Sequence, residues 1–147
     1  MAYIELVRSH VERLLQEVFE LCRVRRDEDG DYPFRSGSAV YFVRVLDGDP
    51  VMISVFAAAV TGVKRSAKLL EEINSINARS VFGHVYWRTG TVFVEHTLMA
   101  SSLDEETLGR VCAAVGTLAD DIGPMIALVY GGATAFPEPQ RDSARET

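Results

Sequence analysis

A histidine and a glutamate that face each other across a predicted hairpin come nearest to catalytic chemistry in this sequence. Thr89-Gly90 has the composition of a two-residue turn, and a turn there pairs His84 with Glu95. A histidine held by a carboxylate can act as a general base, but the same side chains also form an ordinary cross-strand pair worth about 0.2–1 kcal/mol. The register puts no serine or cysteine nucleophile beside them. We therefore predict no catalytic residues and keep a hydrolase-type enzyme using His84 and Glu95 as one of three alternative functions.

The other histidines and the two cysteines lack the spacing of a metal or redox site. His10 is predicted at the surface or boundary of the first helix, whereas His96 alternates with core-facing residues and should be a hydrogen-bonded core histidine. Cys22 and Cys112 fall on apolar stripes of predicted helices, where a free thiol packs as a small hydrophobic group. The sequence contains no HExxH, C-x-x-C, EF-hand or phosphate-binding glycine motif. We predict no metal and no cofactor.

Length and charge narrow the class of protein. The 147 residues suit one domain, which can bury enough surface to fold without a metal or a disulfide. With 15 basic and 21 acidic residues the formal net charge is −6, which argues against nucleic-acid and anionic membrane partners. The sequence shows no apolar run of about 18 residues that predicts a membrane span, and its N-terminus lacks the pattern of a signal peptide. We expect a cytoplasmic protein.

Hydrophobic periodicity predicts the element order α-β-β-β-α-β-β-α. The first helix should run from about Ala2 to Val24, the second from Ser66 to Ala78, and the last from a Ser102 cap, with Glu105 three residues on, through Gly123-Pro124 to Gly131-Gly132. The strands are predicted at Tyr32–Arg35, Ala39–Leu46, Val51 to about Val60, Val81–Arg88 and Thr91–Met99. This order favours an α+β fold, a single antiparallel sheet of about five strands with helices packed on one face. The domain is predicted over residues 1–132 and a disordered tail over residues 133–147.

The second hairpin separates into a dry face and a mixed face. With Arg88 opposite Thr91, strand alternation puts one set of side chains beneath the helices. That set is Val85, Trp87, Val92, Val94 and Leu98. The other set combines aromatic and charged side chains and is expected to face outward: Phe82, His84, Tyr86, Arg88, Phe93, Glu95 and Thr97.

The first hairpin is harder to orient because both of its faces are apolar. Asp47-Gly48-Asp49-Pro50 is predicted as the turn, which pairs Leu46 with Val51. This register places Val40, Phe42, Arg44 and Leu46 beside Ile53, Val55 and Ala57. The opposite set contains a serine and is expected to face outward: Tyr41, Val43, Val45, Met52, Ser54 and Phe56.

The outward face of such a sheet would expose more apolar area than a sheet open to water usually does. Contiguous apolar patches larger than roughly a few hundred Å² usually mark interaction sites. Three occupants are open at this point: a second copy of the chain in a homodimer, a client or ligand, or the chain's own tail. Contacts to a protein or peptide client are predicted from Met52, Phe56, Phe82, Tyr86 and Phe93, with Arg88 and Glu95 as a polar rim.

A short asparagine motif lies at the end of the second predicted helix. Leu70-Glu71-Glu72-Ile73-Asn74 is followed by Ile76-Asn77 and then by Phe82-Gly83. Asn77 can end the helix in the left-handed conformation, and Asn74, one turn earlier, can bond to a backbone group of the following strand. The asparagines are therefore expected to have a structural capping role in this motif.

These residues, with Gly90 in a hairpin and Leu98 ahead of an acid-capped helix, resemble the YbjN domain family over about Ala2–Gly132. The resemblance implies a fold similar to that of the dimeric type III secretion chaperones. Family members are described as sensory transduction regulators or as peptide-binding, chaperone-like domains, and no catalytic residues come with the resemblance. It therefore implies a non-enzymatic, chaperone-like domain that binds a protein or peptide, as a homodimer. The alternative is a regulatory domain that binds a small ligand in a cleft between the sheet and the last helix, near Trp87.

Overall fold

A five-stranded antiparallel sheet carries three helices in this computed structural model, which describes residues 2–137. The helices are α1 (Ala2–Val18), α2 (Ala67–Arg79) and α3 (Glu105–Tyr130). The strands are β1 (Tyr32–Ser36), β2 (Ala39–Leu46), β3 (Met52–Thr61), β4 (His84–Arg88) and β5 (Thr91–Met99). The strand order is β1-β2-β3-β5-β4, and every neighbouring pair is antiparallel. The predicted α+β class and the predicted order of elements are confirmed.

The hydrophobic core fills the space between one face of the sheet and the helices. α3 crosses β3, β2 and β5, while α1 packs on α3 and α2 packs on β4. The buried strand residues are mostly β-branched, which suits a sheet packed under helices. The core includes Val43, Ile53, Val55, Val92, Val94, Leu108, Val111 and Ile126. The opposite face of the sheet has no helix over it among the residues that the structure describes.

α3 begins later than predicted, at a different cap. The carboxylate of Asp104 accepts a hydrogen bond from the Thr107 N–H at 2.7 Å, and its bonds to Thr107 lower the pKa of Asp104. The predicted Ser102 cap is wrong, because Ser102 closes a short 3-10 turn before the helix. α2 begins at Ala67, one residue after its predicted start at Ser66, and the Ser66 hydroxyl caps the helix by accepting from the Leu69 N–H at 3.1 Å.

α1 ends earlier than predicted. It stops at Val18 and not at Val24, and Glu20 follows in the left-handed region with φ of 51°. Cys22 is therefore exposed beyond the helix and does not lie on its apolar stripe. Cys112 is buried in α3 as predicted, and burial raises the pKa of its thiol to about 12, which keeps the thiol protonated.

α3 passes closely over an irregularity in β3. The register of β3 against β5 shifts between Ala58 and Val60. Gly123 of α3 lies so close to this bulge that a Cβ on it would be 2.8 Å from the Ala59 carbonyl oxygen. Pro124 follows inside the helix, which continues as one element as predicted.

The length and hydropathy of α3 would be enough to cross a membrane, and it is the one helix of residues 2–137 of which this is true. Its residues from Leu108 to Ile126 include a buried stripe that packs on the sheet. The core helix of a globular protein meets the same two criteria of length and hydropathy.

Hydrogen bonds tie the middle of α3 to the turn between β1 and β2. Asp120 accepts from the Ser38 N–H at 2.7 Å and from the Ser38 hydroxyl at 2.6 Å, and these bonds lower the pKa of its carboxyl group. One turn earlier, Gly116 lies so close to the hairpin that a Cβ on it would be 2.8 Å from the Ser36 Cβ. The helix therefore rests on the hairpin through a glycine and is held there by a carboxylate.

The chain returns to the sheet after α3. Ala133 pairs with Thr61 at the end of β3, and the Phe136 N–H donates to a carbonyl of the β1–β2 turn at 3.0 Å. The predicted disordered tail, 133–147, therefore starts with residues that contact the domain. Residues 138–147 lie outside the described residues, and their disorder stays a prediction.

Candidate functional site

The β4–β5 hairpin has the predicted register. Arg88 lies opposite Thr91 at the turn, and the pairing continues to His84 and Glu95 at the other end. The helix-covered side holds Val85, Val92 and Val94, and the outer side holds Tyr86, Phe93 and Glu95. The predicted division of this hairpin into two faces is therefore confirmed within the strands.

The β2–β3 hairpin differs by one residue from the predicted register. Leu46 pairs with Met52 and not with Val51, because the side chain of Val51 is buried within the connection. A slip of one residue sends the side chains of a strand to opposite faces. Tyr41, Val43 and Val45 are therefore buried under the helices, contrary to the prediction, and Val40, Phe42, Arg44 and Leu46 take the outer face. On β3, the outward positions of Met52, Ser54 and Phe56 are as predicted.

Four aromatic rings form two stacked pairs on the outer side of the sheet. The ring centroids of Phe42 and Phe56 lie 5.3 Å apart, and those of Tyr86 and Phe93 also lie 5.3 Å apart. All four rings are half-buried, since each rests on its neighbour and not under a helix. The outer aromatic face is defined here as Phe42, Arg44, Phe56, Tyr86, Arg88, Phe93 and Glu95.

Two arginines lie over the stacked rings. The Arg44 guanidinium donates to both carboxylate oxygens of Asp31, at 2.8 and 2.6 Å, and lies 4.7 Å from the Phe56 centroid. Asp31 is buried, and its hydrogen bonds raise the pKa of Arg44. Arg88 lies over the other stacked pair, 5.6 and 5.4 Å from the two ring centroids. Both arginines are placed for cation–π contacts.

Glu95 is bonded to its outer-face neighbours and not to His84. One carboxylate oxygen accepts from the Ser54 hydroxyl at 3.0 Å, and the other accepts from the Tyr86 hydroxyl at 2.7 Å. Burial, together with the bond to Glu95, raises the pKa of Tyr86 to about 12. His84 stacks on the Tyr86 ring at 5.5 Å. The backbone register of His84 and Glu95 is as predicted, but the carboxylate is engaged elsewhere and does not orient the histidine as a base.

A depression of about 380 Å³ lies on the outer aromatic face. It is lined by Arg44, Leu46, Ser54, Phe56, Tyr86, Arg88, Phe93 and Glu95. The structure therefore brings together most of the predicted partner-binding residues: Phe56, Tyr86, Arg88, Phe93 and Glu95. Met52 lies on the same face, opposite Met99, but does not line the depression.

Phe82 lies apart from the depression. It precedes β4, and Gly83 between them takes the left-handed conformation with φ of 80°. The Phe82 ring meets the His96 ring edge-on, with centroids 5.7 Å apart, and the Gly83 N–H donates to His96 Nδ1 at 3.0 Å. The predicted placement of Phe82 in the outward row is wrong, because Gly83 turns the chain before the strand begins.

Sequence reasoning missed three contributors to the outer aromatic face: Phe42, Arg44 and Asp31. A charged side chain in an apolar strand was the available signal, because burying the Arg44 guanidinium under helices costs much more than leaving it at an open face. An outward Arg44 also turns Phe42 outward, which is the observed register. Asp31 lies at the end of an acidic loop and carries no separate signal in the sequence.

Asn77, and not Asn74, connects α2 to the sheet. Its side-chain amide donates to the Val85 carbonyl at 3.0 Å and accepts from the Val85 N–H at 2.8 Å. The amide thus pairs with β4 as a neighbouring strand would and occupies one residue of the sheet edge. α2 continues to Arg79, so Asn77 does not end the helix as predicted, and Asn74 is exposed.

Other parts of the described surface offer less chemistry. One depression of about 660 Å³ lies between Val18 and the start of α3, and one of about 590 Å³ is lined by the consecutive residues Arg23–Arg26. Trp87, the centre of the small-ligand alternative, lines neither of them and donates its indole N–H to the Val63 carbonyl at 2.8 Å. Within residues 2–137 no group of three or more His, Cys, Asp or Glu is placed to hold a metal ion.

Several solved structures share this fold. The ExsC–ExsE complex is 17% identical over 80% of this chain and 93% of its own, with a TM-score of 0.62. The HopA1–SchA chaperone–effector complex is 9% identical over 82% of this chain and 95% of its own, with a TM-score of 0.64. The Yersinia pestis type III secretion chaperone SycH, in complex with a fragment of YscM2, is 16% identical over 78% and 97%, with a TM-score of 0.54. The comparison with curated proteins finds no match.

A family model covers nearly the whole chain, from residue 5 to residue 138. The family, TY-Chap1, is described as T3SS (YopN, CesT) and YbjN peptide-binding chaperone 1. The match confirms the resemblance carried by the asparagine motif and the chaperone-like fold that it implies. The chain therefore belongs to this family of peptide-binding chaperone domains.

Proposed function

We propose that this chaperone domain binds a peptide segment of its client on the outer aromatic face, without catalysis and in the cytoplasm. The observation that carries the proposal is the depression of about 380 Å³, flanked by half-buried rings on a sheet face that no helix of residues 2–137 covers. Aromatic side chains and arginines are enriched in the contact surfaces of proteins. The family description supports a peptide as the ligand and a role other than catalysis.

A peptide suits the outer aromatic face better than the other two occupants named above. The tail segment, 138–147, contains no aromatic, leucine, isoleucine, valine or methionine side chain that could cover the rings. A second copy would bury Arg44, Arg88 and Glu95 twice over, and charged groups are depleted at the centres of such interfaces. An extended peptide can fill the depression without burying all three of these charged groups. The predicted homodimer stays a prediction, which light scattering on the pure protein tests.

The proposal is tested with the double variant Tyr86→Asp, Phe93→Asp. The probes are peptides selected on the wild-type domain from a random display library, and affinities are measured by fluorescence anisotropy. Both rings are half-buried, so the fold should survive, which circular dichroism and thermal unfolding check. We expect binding at least about 30-fold weaker, because anchor residues at the centre of an interface contribute about 2 kcal/mol or more.

The paired change Leu128→Asp, Val129→Asp provides the matched control. These side chains are 87% and 55% exposed near the end of α3, so the change adds the same two negative charges away from the outer aromatic face. The control should leave the affinity within about twofold of wild type. A folded double variant that binds the selected peptides like wild type would overturn the proposal. The outer aromatic face would instead belong to a second copy of the chain if two results came together. The wild type would be a dimer that the double variant turns into a monomer, and no selected peptide would compete with dimer formation.

A further inference from the structure

The charges of the outer aromatic face are unequally engaged. Arg44 is held by both oxygens of Asp31, and both oxygens of Glu95 accept hydrogen bonds from hydroxyl groups. Arg88 is exposed, lies over two rings and forms no ion pair with any of residues 2–137. Its guanidinium therefore retains the hydrogen-bond donors that a ligand on this face would meet.

We infer that the bound peptide carries an acidic side chain two positions from an aromatic or large aliphatic one, an inference that rests on the proposed function. In an extended peptide, side chains two positions apart point the same way and lie roughly 7 Å apart. The Arg88 guanidinium lies 5.6 and 5.4 Å from the centroids of Tyr86 and Phe93. An apolar side chain against these rings thus puts the acidic one within reach of the guanidinium, which binds carboxylates through two parallel hydrogen bonds.

The remaining charges do not favour a basic peptide at the same place. Glu95 carries the opposite charge, but it is half-buried and a lysine would compete with Ser54 and Tyr86 for its oxygens. The net charge of −6 disfavours an acidic ligand at long range, although salt screens that repulsion beyond about 10 Å. The preference for acidic peptides must therefore come from Arg88 itself. A single substitution of Arg88 can test that preference.

The experiment compares each selected peptide with two counterparts in which the acidic residue becomes Gln or Lys. Affinities are measured on wild type, on Arg88→Glu and on Arg110→Glu. Arg110 lies on α3, on the other side of the sheet, and its replacement changes the net charge equally. On wild type the acidic peptide should bind at least about 10-fold tighter than its Gln counterpart. On Arg88→Glu the order should reverse, with the Lys counterpart binding best, and on Arg110→Glu the wild-type order should persist.

The inference is overturned if the selected peptides show no enrichment of Asp or Glu, or if acidic-peptide affinity falls equally on Arg88→Glu and Arg110→Glu. The variant of Tyr86 and Phe93 separates the two claims. If that variant loses all binding while Arg88→Glu keeps the wild-type preference, the face binds peptide but the acidic requirement is wrong. If the double variant binds like wild type, the proposed function itself fails.

Discussion

The two faces of the sheet are made by the same strands but differ in composition and in cover. On the covered face, Ile53, Val55 and Val94 are fully buried under helices. On the outer face, their neighbours Met52 and Phe56 remain half-buried. The covered side is mostly aliphatic, with Tyr32 and Tyr41 as its buried aromatic side chains, whereas the outer side combines rings with arginines and a glutamate. Strand alternation thus gives one face to stability and leaves the other as surface for recognition.

Aromatic side chains suit the uncovered face because they can shield one another from water. Phe42 stacks on Phe56, and the Arg44 guanidinium covers Phe56 from the solvent side. A flat ring with a cation above it loses apolar exposure without needing a second layer of backbone. Valine has no such flat surface to share, and the valines of these strands that are fully buried lie on the side that the helices cover.

The largest contrast should appear between neighbouring residues of β3. Ile53→Ala removes a fully buried side chain and should lower the free energy of unfolding by about 2–5 kcal/mol. Met52→Ala affects a half-buried side chain and should cost less than about 1.5 kcal/mol. Urea denaturation of the two variants measures both values. Equal losses would show that the outer face supports the fold as much as the covered face does.

A smaller effect is expected at the sheet edge that Asn77 occupies. Asn77→Ala removes both hydrogen bonds to Val85 and should cost about 1–2 kcal/mol, since those backbone groups then depend on water. Asn74→Ala changes an exposed residue on the same helix and should stay within about 0.5 kcal/mol of wild type. An open β4 edge should also promote self-association, measured by light scattering. If Asn77→Ala self-associates and adding Tyr86→Asp abolishes that association, the contact between copies lies on the outer aromatic face and not at the β4 edge.

The smallest effect is a pH dependence on the covered side. Hydrogen bonds from Ser38 hold the pKa of Asp120 below its usual value, so this carboxylate stabilises the fold above the unfolded pKa of about 3.9 and loses that effect as pH falls through the folded pKa. Asp120→Asn should therefore cost about 1 kcal/mol or less at neutral pH, and the difference from wild type should shrink in acid. Unfolding curves between about pH 7 and pH 3 measure it. A constant difference across this range would mean that shape, and not charge, makes the contact.

The two hairpins show what the sequence could and could not predict. Thr89-Gly90 is a turn whose composition sets its length, so every pair of the β4–β5 hairpin follows from it. The β2–β3 connection extends by one residue to Val51, whose buried side chain belongs to the turn and not to the strand. Val51 continues the apolar pattern of β3, and only the charge of Arg44 distinguishes the two registers.

Local periodicity predicted that the three helices exist, but it predicted their ends and their side-chain hydrogen bonds less well. The apolar pattern continues to Val24, past the end of α1 at Val18. The pattern gives no sign that Glu20 adopts a left-handed conformation, which turns the chain out of the helix. Two asparagines one turn apart have equal intrinsic ability to bond to a strand. The position of β4 decides that Asn77 makes the contact and Asn74 does not, and that position is a tertiary property.

The close approach of Gly123 to the Ala59 carbonyl makes two stretches of chain, far apart in sequence, depend on each other. A side chain at position 123 requires the Ala59 carbonyl to move away from α3. A regular β3, without the register shift between Ala58 and Val60, would leave a gap beneath Gly123. Each change alone should destabilise the protein, while both together should cost less than their sum. A side chain at position 123 should therefore be tolerated better in a β3 that lacks the irregularity than in the wild-type strand.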